Sequence, residues 1–72
     1  MSNEKLIRMA NQIAAFFATQ PEADKPARVA AHIRDFWAPP MRESFMALAQ
    51  SPRGAALSEI AKAAAAKLAH DA

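Results

Sequence analysis

The sequence predicts an all-α fold, a small compact bundle of three to four short helices forming one domain over residues 1–72. Three observations carry that expectation. Ala, Leu, Lys, Arg and Glu are frequent, Gly occurs once and β-branched residues form no run, which is a helical composition. Large apolar residues return every three or four positions, as on one face of an amphipathic helix. Helix breakers stand at Pro21, at Pro39-Pro40 and in Ser51-Pro52-Arg53-Gly54, dividing the chain into four segments. Helices are therefore expected at about 3–20, 25–37, 40–50 and 56–69.

In the first segment, Ser2 or Asn3 caps the helix and Glu4 suits its positive N-terminal end. Leu6, Ile7, Met9, Ala10, Ile13, Ala14, Phe16 and Phe17 cover roughly half the helical wheel at about 100° per residue. That is wider than a core stripe needs, and the surplus falls at Met9 and Phe16 on one edge and Ile7 on the other. Pro21–Asp24 form a short connection, and Asp24 caps the second helix, with Pro26 tolerated in its first turn. Its stripe is Val29, Ala30, Ile33, Phe36 and Trp37, with His32 at the edge beside Phe36. The third helix opens at Pro40 and faces the core with Met41, Phe45 and Leu48, leaving Met46 off the stripe. The fourth offers Leu57, Ile60, Ala61, Ala64 and Leu68, a narrow face that packs close.

His32–Arg42 (HIRDFWAPPMR) is the centre of this arrangement. Two prolines force the second helix to stop, because Pro has no N–H and restricts the residue before it. Phe36 and Trp37 are thereby fixed at a rigid corner. Two readings apply together: Trp37 anchors the core, and part of the corner faces a partner protein, since Trp and Arg recur at interface hot spots. Arg42, at the edge of the third helix, is expected to contribute about 0.5 kcal/mol or less to the free chain and to reach outward.

Several function classes are excluded by residue type. There is no Cys to supply a nucleophile, a thiolate ligand or a disulfide. Two isolated His residues make no metal-ligand spacing, and a single Gly makes no phosphate-cradling loop. Nine basic residues against seven acidic ones, mixed along the chain, leave a net charge of +2 and no basic stripe for nucleic acid. A helix-turn-helix reader would present Arg42 beside Glu43, a poor match to a phosphate-rich groove. No signal peptide or membrane-spanning stretch is expected. Residues 4–19 have the apolar arc of an interfacial membrane helix but an uncharged polar face.

Two stretches carry a resemblance. Met9–Phe17 (MANQIAAFF) and His32–Arg42 together resemble the delta subunit of cytoplasmic NAD-dependent formate dehydrogenases, and the Leu57/Ile60 tail also fits. One departure is that the family pattern has a basic residue between Pro and Met, where this chain has Pro40; any partner contact made by that residue is missing here. The resemblance implies a cytoplasmic, non-catalytic accessory subunit that stabilises or helps assemble its complex by contacting the large, metal-binding alpha subunit. It implies that formate oxidation and NAD⁺ reduction belong to the larger subunits. Those subunits would carry a molybdenum or tungsten bis-pterin guanine dinucleotide, iron–sulfur clusters and FMN, with no cofactor in this chain.

The residues singled out for partner contact are Met9, Asn11 and Phe16 in the first motif, His32, Phe36, Trp37, Pro39, Met41 and Arg42 in the second, and off-stripe Met46. The alternative is a free-standing helical adaptor or homodimeric regulator. The surplus apolar arc of the first helix also predicts modest stability or self-association of the isolated chain.

Overall fold

Ser2 opens the fold as the sequence suggests: its hydroxyl accepts the Lys5 N–H at 3.1 Å, capping helix α1 (Asn3–Ala18). In the computed structural model, which describes residues 2–21 and 23–71, three more α-helices come after it among the described residues. These are α2 (Lys25–Phe36), α3 (Pro39–Gln50) and α4 (Glu59–Asp71), with a 3₁₀ turn over Pro52–Ala56 between the last two. Met1, Glu22 and Ala72 lie outside the described residues, and with them part of the expected Pro21–Asp24 connection and the ends of the 1–72 span. The all-α bundle expected from the sequence is the fold observed.

Each junction follows from local chemistry. Asp24 has a left-handed backbone, φ 55° and ψ 62°, which Asp tolerates better than most residues. From there its carboxylate accepts the Ala27 N–H at 3.3 Å and caps α2. Ala38 precedes Pro39 and is held extended, φ −64° and ψ 149°. Pro39 therefore opens α3, one residue before the expected Pro40. Both prolines fall where helical N–H groups have no partner in any case.

The C-terminal carbonyls of α1, α2 and α3 are satisfied by side chains from beyond the helix. Lys25 Nζ donates to the Ala18 carbonyl at 2.7 Å. Arg42 Nη1 donates to the Arg34 carbonyl at 2.9 Å. Ser51 Oγ donates to the Leu48 carbonyl at 2.7 Å.

The core draws on all four helices and on two residues at their ends: Leu6, Ala10 and Ala14; Val29, Ala30 and Ile33, with Trp37 just after α2; Phe45 and Leu48; and Ala61, Ala64, Ala65 and Leu68, with Leu57 just before α4. The most extensive packing is between α2 and α4, where Ala side chains from both helices let the backbones approach. Two expectations are corrected here. Phe36, placed on the α2 core stripe, is 74% exposed. Trp37, placed in the last turn, instead leaves the helix with ψ 139° and turns its ring inward against Phe45, centroids 5.6 Å apart. The helix ends between the two aromatics, so only one of them enters the core.

The fourth helix starts later than its apolar pattern suggests. Gly54 is buried, and a Cβ there would lie 2.5 Å from the Ala49 carbonyl oxygen. That approach holds residues 52–56 as a 3₁₀ turn against the end of α3. Asn11 of α1 then fixes the stretch leading into α4: its amide donates to the Ala56 carbonyl at 3.0 Å and accepts the Ser58 N–H at 2.8 Å. Ser58 in turn caps α4, its hydroxyl accepting the Ala61 N–H at 3.2 Å.

This packing sets two stability outcomes. Trp37→Ala should cost about 3–5 kcal/mol, as for other buried aromatics, and chemical denaturation followed by circular dichroism should show the free chain largely unfolded. Gly54→Ala should cost at least about 1–3 kcal/mol, because the contacted atoms are backbone and cannot rotate away. The exposed neighbour Ala55→Ser should stay within about 0.5 kcal/mol of the parent. Equal midpoints for the variants at 54 and 55 would contradict the close-approach account.

Candidate protein-interaction surface

Helices α1 and α2 meet along an aromatic strip that begins with a sequence accident of helical phase. Phe16 and Phe17 are adjacent, so they lie about 100° apart on α1; Phe17 turns partly into the core while Phe16 stays 59% exposed. Their rings meet edge-on, centroids 5.2 Å apart. On α2, His32 and Phe36 are one turn apart and their rings lie at 4.7 Å. His32 bridges the helices, with its ring 6.1 Å from Phe17. Phe16, Phe17, His32 and Phe36 thus form one continuous row. Beside it is an open depression lined by Gln12, Ile13, Phe16, Phe17 and His32.

The structure gathers three of the singled-out residues, Phe16, His32 and Phe36, in this row. Met9 is half-buried and packs against the core. Pro39 is exposed just past the end of α2, while Trp37 is 6% exposed and belongs to the core. Met41 is half-buried and shares a shallow cleft with Leu6, Pro40 and Ser44. Met46 lies in the α3–α4 groove with Ala49, Lys62 and Ala65. Asn11, on another flank of α1, has both ends of its amide committed to the connection before α4.

Sequence reasoning missed the part played by Phe17. It was legible as a core residue, but its role as the ring that joins Phe16 to His32 depends on how α1 and α2 cross. Their crossing is not written in either helix alone.

Arg42 also differs from expectation. Its guanidinium lies over the end of α2, bonded to the Arg34 carbonyl and, at 3.4 Å, to the Trp37 carbonyl. The reason is the proline pair. Pro39 and Pro40 lack the N–H groups that would reach back to Asp35 and Phe36, and extended Trp37 ends the helical ladder. The helix end is short of donors: with Trp37 extended the Ala38 N–H no longer reaches back to Arg34, and Arg42 bonds the Arg34 carbonyl in its place.

A row of rings with two exposed phenylalanines suits recognition of an apolar surface. Among the described residues no group of three or more His, Cys, Asp or Glu side chains could hold a metal ion.

The sequence matches the model of the family described as NADH-dependent formate dehydrogenase delta subunit, FdsD, over residues 5–65. No curated protein and no solved structure matches the chain.

Because Arg42 caps α2, Arg42→Ala should destabilise the free chain by about 1 kcal/mol or more, the scale of hydrogen bonds from a charged donor to carbonyls left without another partner. Arg42→Lys should recover only part, since both bonds come from the terminal nitrogen Nη1 and the Lys side chain ends one bond short of it. Urea titrations of the three proteins check this; an Arg42→Ala midpoint equal to the parent's would remove the capping role.

Proposed function

The chain belongs to the NADH-dependent formate dehydrogenase delta subunit family, and on that premise we propose that it is a non-catalytic accessory subunit. It stabilises the complex or assists its assembly, in the cytoplasm, by contacting the large metal-binding alpha subunit. The observation that carries this reading is the family match from Lys5 to Ala65, which takes in part or all of every helix.

The residues present are poorly suited to the groups expected of the holoenzyme. Iron–sulfur clusters are held by Cys thiolates, and the sequence has no Cys. The single Gly is used against the Ala49 backbone, leaving no glycine-rich loop for the phosphates of FMN, NAD or a pterin dinucleotide. His32 stacks with phenylalanines and His70 lies in the last turn of α4. These groups do not fit this chain, and no step of formate oxidation is routed through it. The molybdenum or tungsten centre, the clusters and the flavin are assigned to the larger subunits. No helix among the described residues is long and apolar enough to cross a membrane.

What such a subunit supplies is binding free energy. A chain that binds only the assembled partner shifts the partner's folding and assembly equilibrium by mass action, by about 2.7 kcal/mol when it stands at 100 times its dissociation constant. The exposed Phe16 and Phe36 favour a second reading, self-association of a free-standing adaptor, through the same row of rings.

Deleting the chain should lower the quantity of active formate dehydrogenase while leaving each remaining active molecule unchanged. The measurement is activity per molybdenum or tungsten centre in preparations with and without the chain. A changed KM for formate or a shifted pH profile per centre would contradict a purely structural role.

A further inference from the structure

We propose that the row Phe16–Phe17–His32–Phe36 is the seat for an acidic, amphipathic segment of the formate dehydrogenase complex, an inference that rests on the accessory-subunit reading. An apolar side chain of that segment enters the depression beside Ile13, Phe16 and Phe17, and its carboxylates face Lys5 and Arg28.

The charge of the rim points to this chemistry. Lys5 stands eleven residues before Phe16, close to three full turns, so both lie on one line of α1. Arg28 lies one turn before His32 on α2, as Phe36 lies one turn after it. Lys5 and Arg28 are both exposed. Lys25, two turns before His32, is tied to the Ala18 carbonyl and adds a third positive charge near the same edge. Of the acidic groups near the row, Asp24 lies one turn before Arg28 and pairs with Lys67 of α4 at 3.5 Å. Glu4 lies about 120° around α1 from Phe16, while Asp35 lies two turns beyond Arg28 on nearly the same line of α2, so the rim sets Lys5, Lys25 and Arg28 against Asp35. An apolar row with a basic rim is complementary to an apolar segment with acidic flanks.

Area sets the scale of the contact, and charge separates this occupant from a second copy. Two Phe side chains of about 200 Å² each, at 59% and 74% exposure, offer roughly 250 Å². A stable interface needs about 800 Å² from each partner. The row is therefore an anchor within a larger contact. A symmetric pair of copies would also set basic rim against basic rim on a chain of net charge +2.

The test uses the tagged full chain co-expressed with the formate dehydrogenase subunits. The parent should retain the complex, and Phe16→Ser combined with Phe36→Ser should retain at least tenfold less while melting like the parent. Arg28→Glu should lose the complex to a similar extent, and Arg28→Lys should keep it. A zero-length carbodiimide should join Lys5, or the amine introduced by Arg28→Lys, to an Asp or Glu of another subunit. If the parent retains the complex and the Phe and Arg28→Glu variants retain it equally, this surface is wrong while the accessory reading stands. If the parent itself retains nothing, the accessory reading fails and the proposal falls with it. Cross-links found only between two copies of this chain would assign the row to self-association and overturn the proposal.

Discussion

The proline pair at 39–40 is the constraint on which the rest of the molecule depends. It removes two backbone donors at the end of α2 and fixes the direction in which α3 departs. Trp37 is left on the inner side of the bend, where its ring completes the core against Phe45. Phe36 is left on the outer side. One covalent feature thus sorts two neighbouring aromatics into different tasks, one packed and one presented. Arg42 belongs to the same corner, since its side chain bonds the Arg34 and Trp37 carbonyls on either side of the last α2 residues.

Arg42 is one instance of a pattern. Neither α1 nor α3 has a basic residue in its last turn to satisfy its own carbonyls. The donors come instead from the next segment along the chain: Lys25 for α1, Arg42 for α2 and Ser51 for α3. Each helix end is locked to its successor, which sets the angle of the turn more firmly than loop length alone. A bundle whose core relies on many alanines has little dispersion to spare. These bonds at the corners help to hold helices whose faces are thin.

Much of the fold was legible because it is local. Proline positions, the Ser2 and Asp24 caps and the three-to-four spacing of apolar residues all act within a few positions of themselves. Trp37 as a core anchor was also legible, from size and wheel position. The exposure of Phe36 was not, because Phe36 keeps its helical place and its burial depends on which side of α2 the other helices cover. The 3₁₀ turn before α4 was hidden for a different reason. It comes from contacts between distant segments, Gly54 against Ala49 and Asn11 against Ala56 and Ser58. Of the interaction surface, the sequence marked Phe16, His32 and Phe36, but the crossing of α1 and α2 that makes them one row leaves no local signal. Asn11, marked for the same role, is used internally.

The Asn11 amide has a consequence for the order in which the chain takes shape. The cap that starts α4 depends on a side chain 47 residues earlier, and α4 provides the main packing surface for α2. Closing a loop of that length is entropically costly until the contacts on both sides exist. During synthesis, α1 to α3 emerge from the ribosome first but have nothing to cover the α4-facing side of α2. A chain cut before residue 57 lacks Leu57, Ala61, Ala64, Ala65 and Leu68, and with them the fourth part of the core.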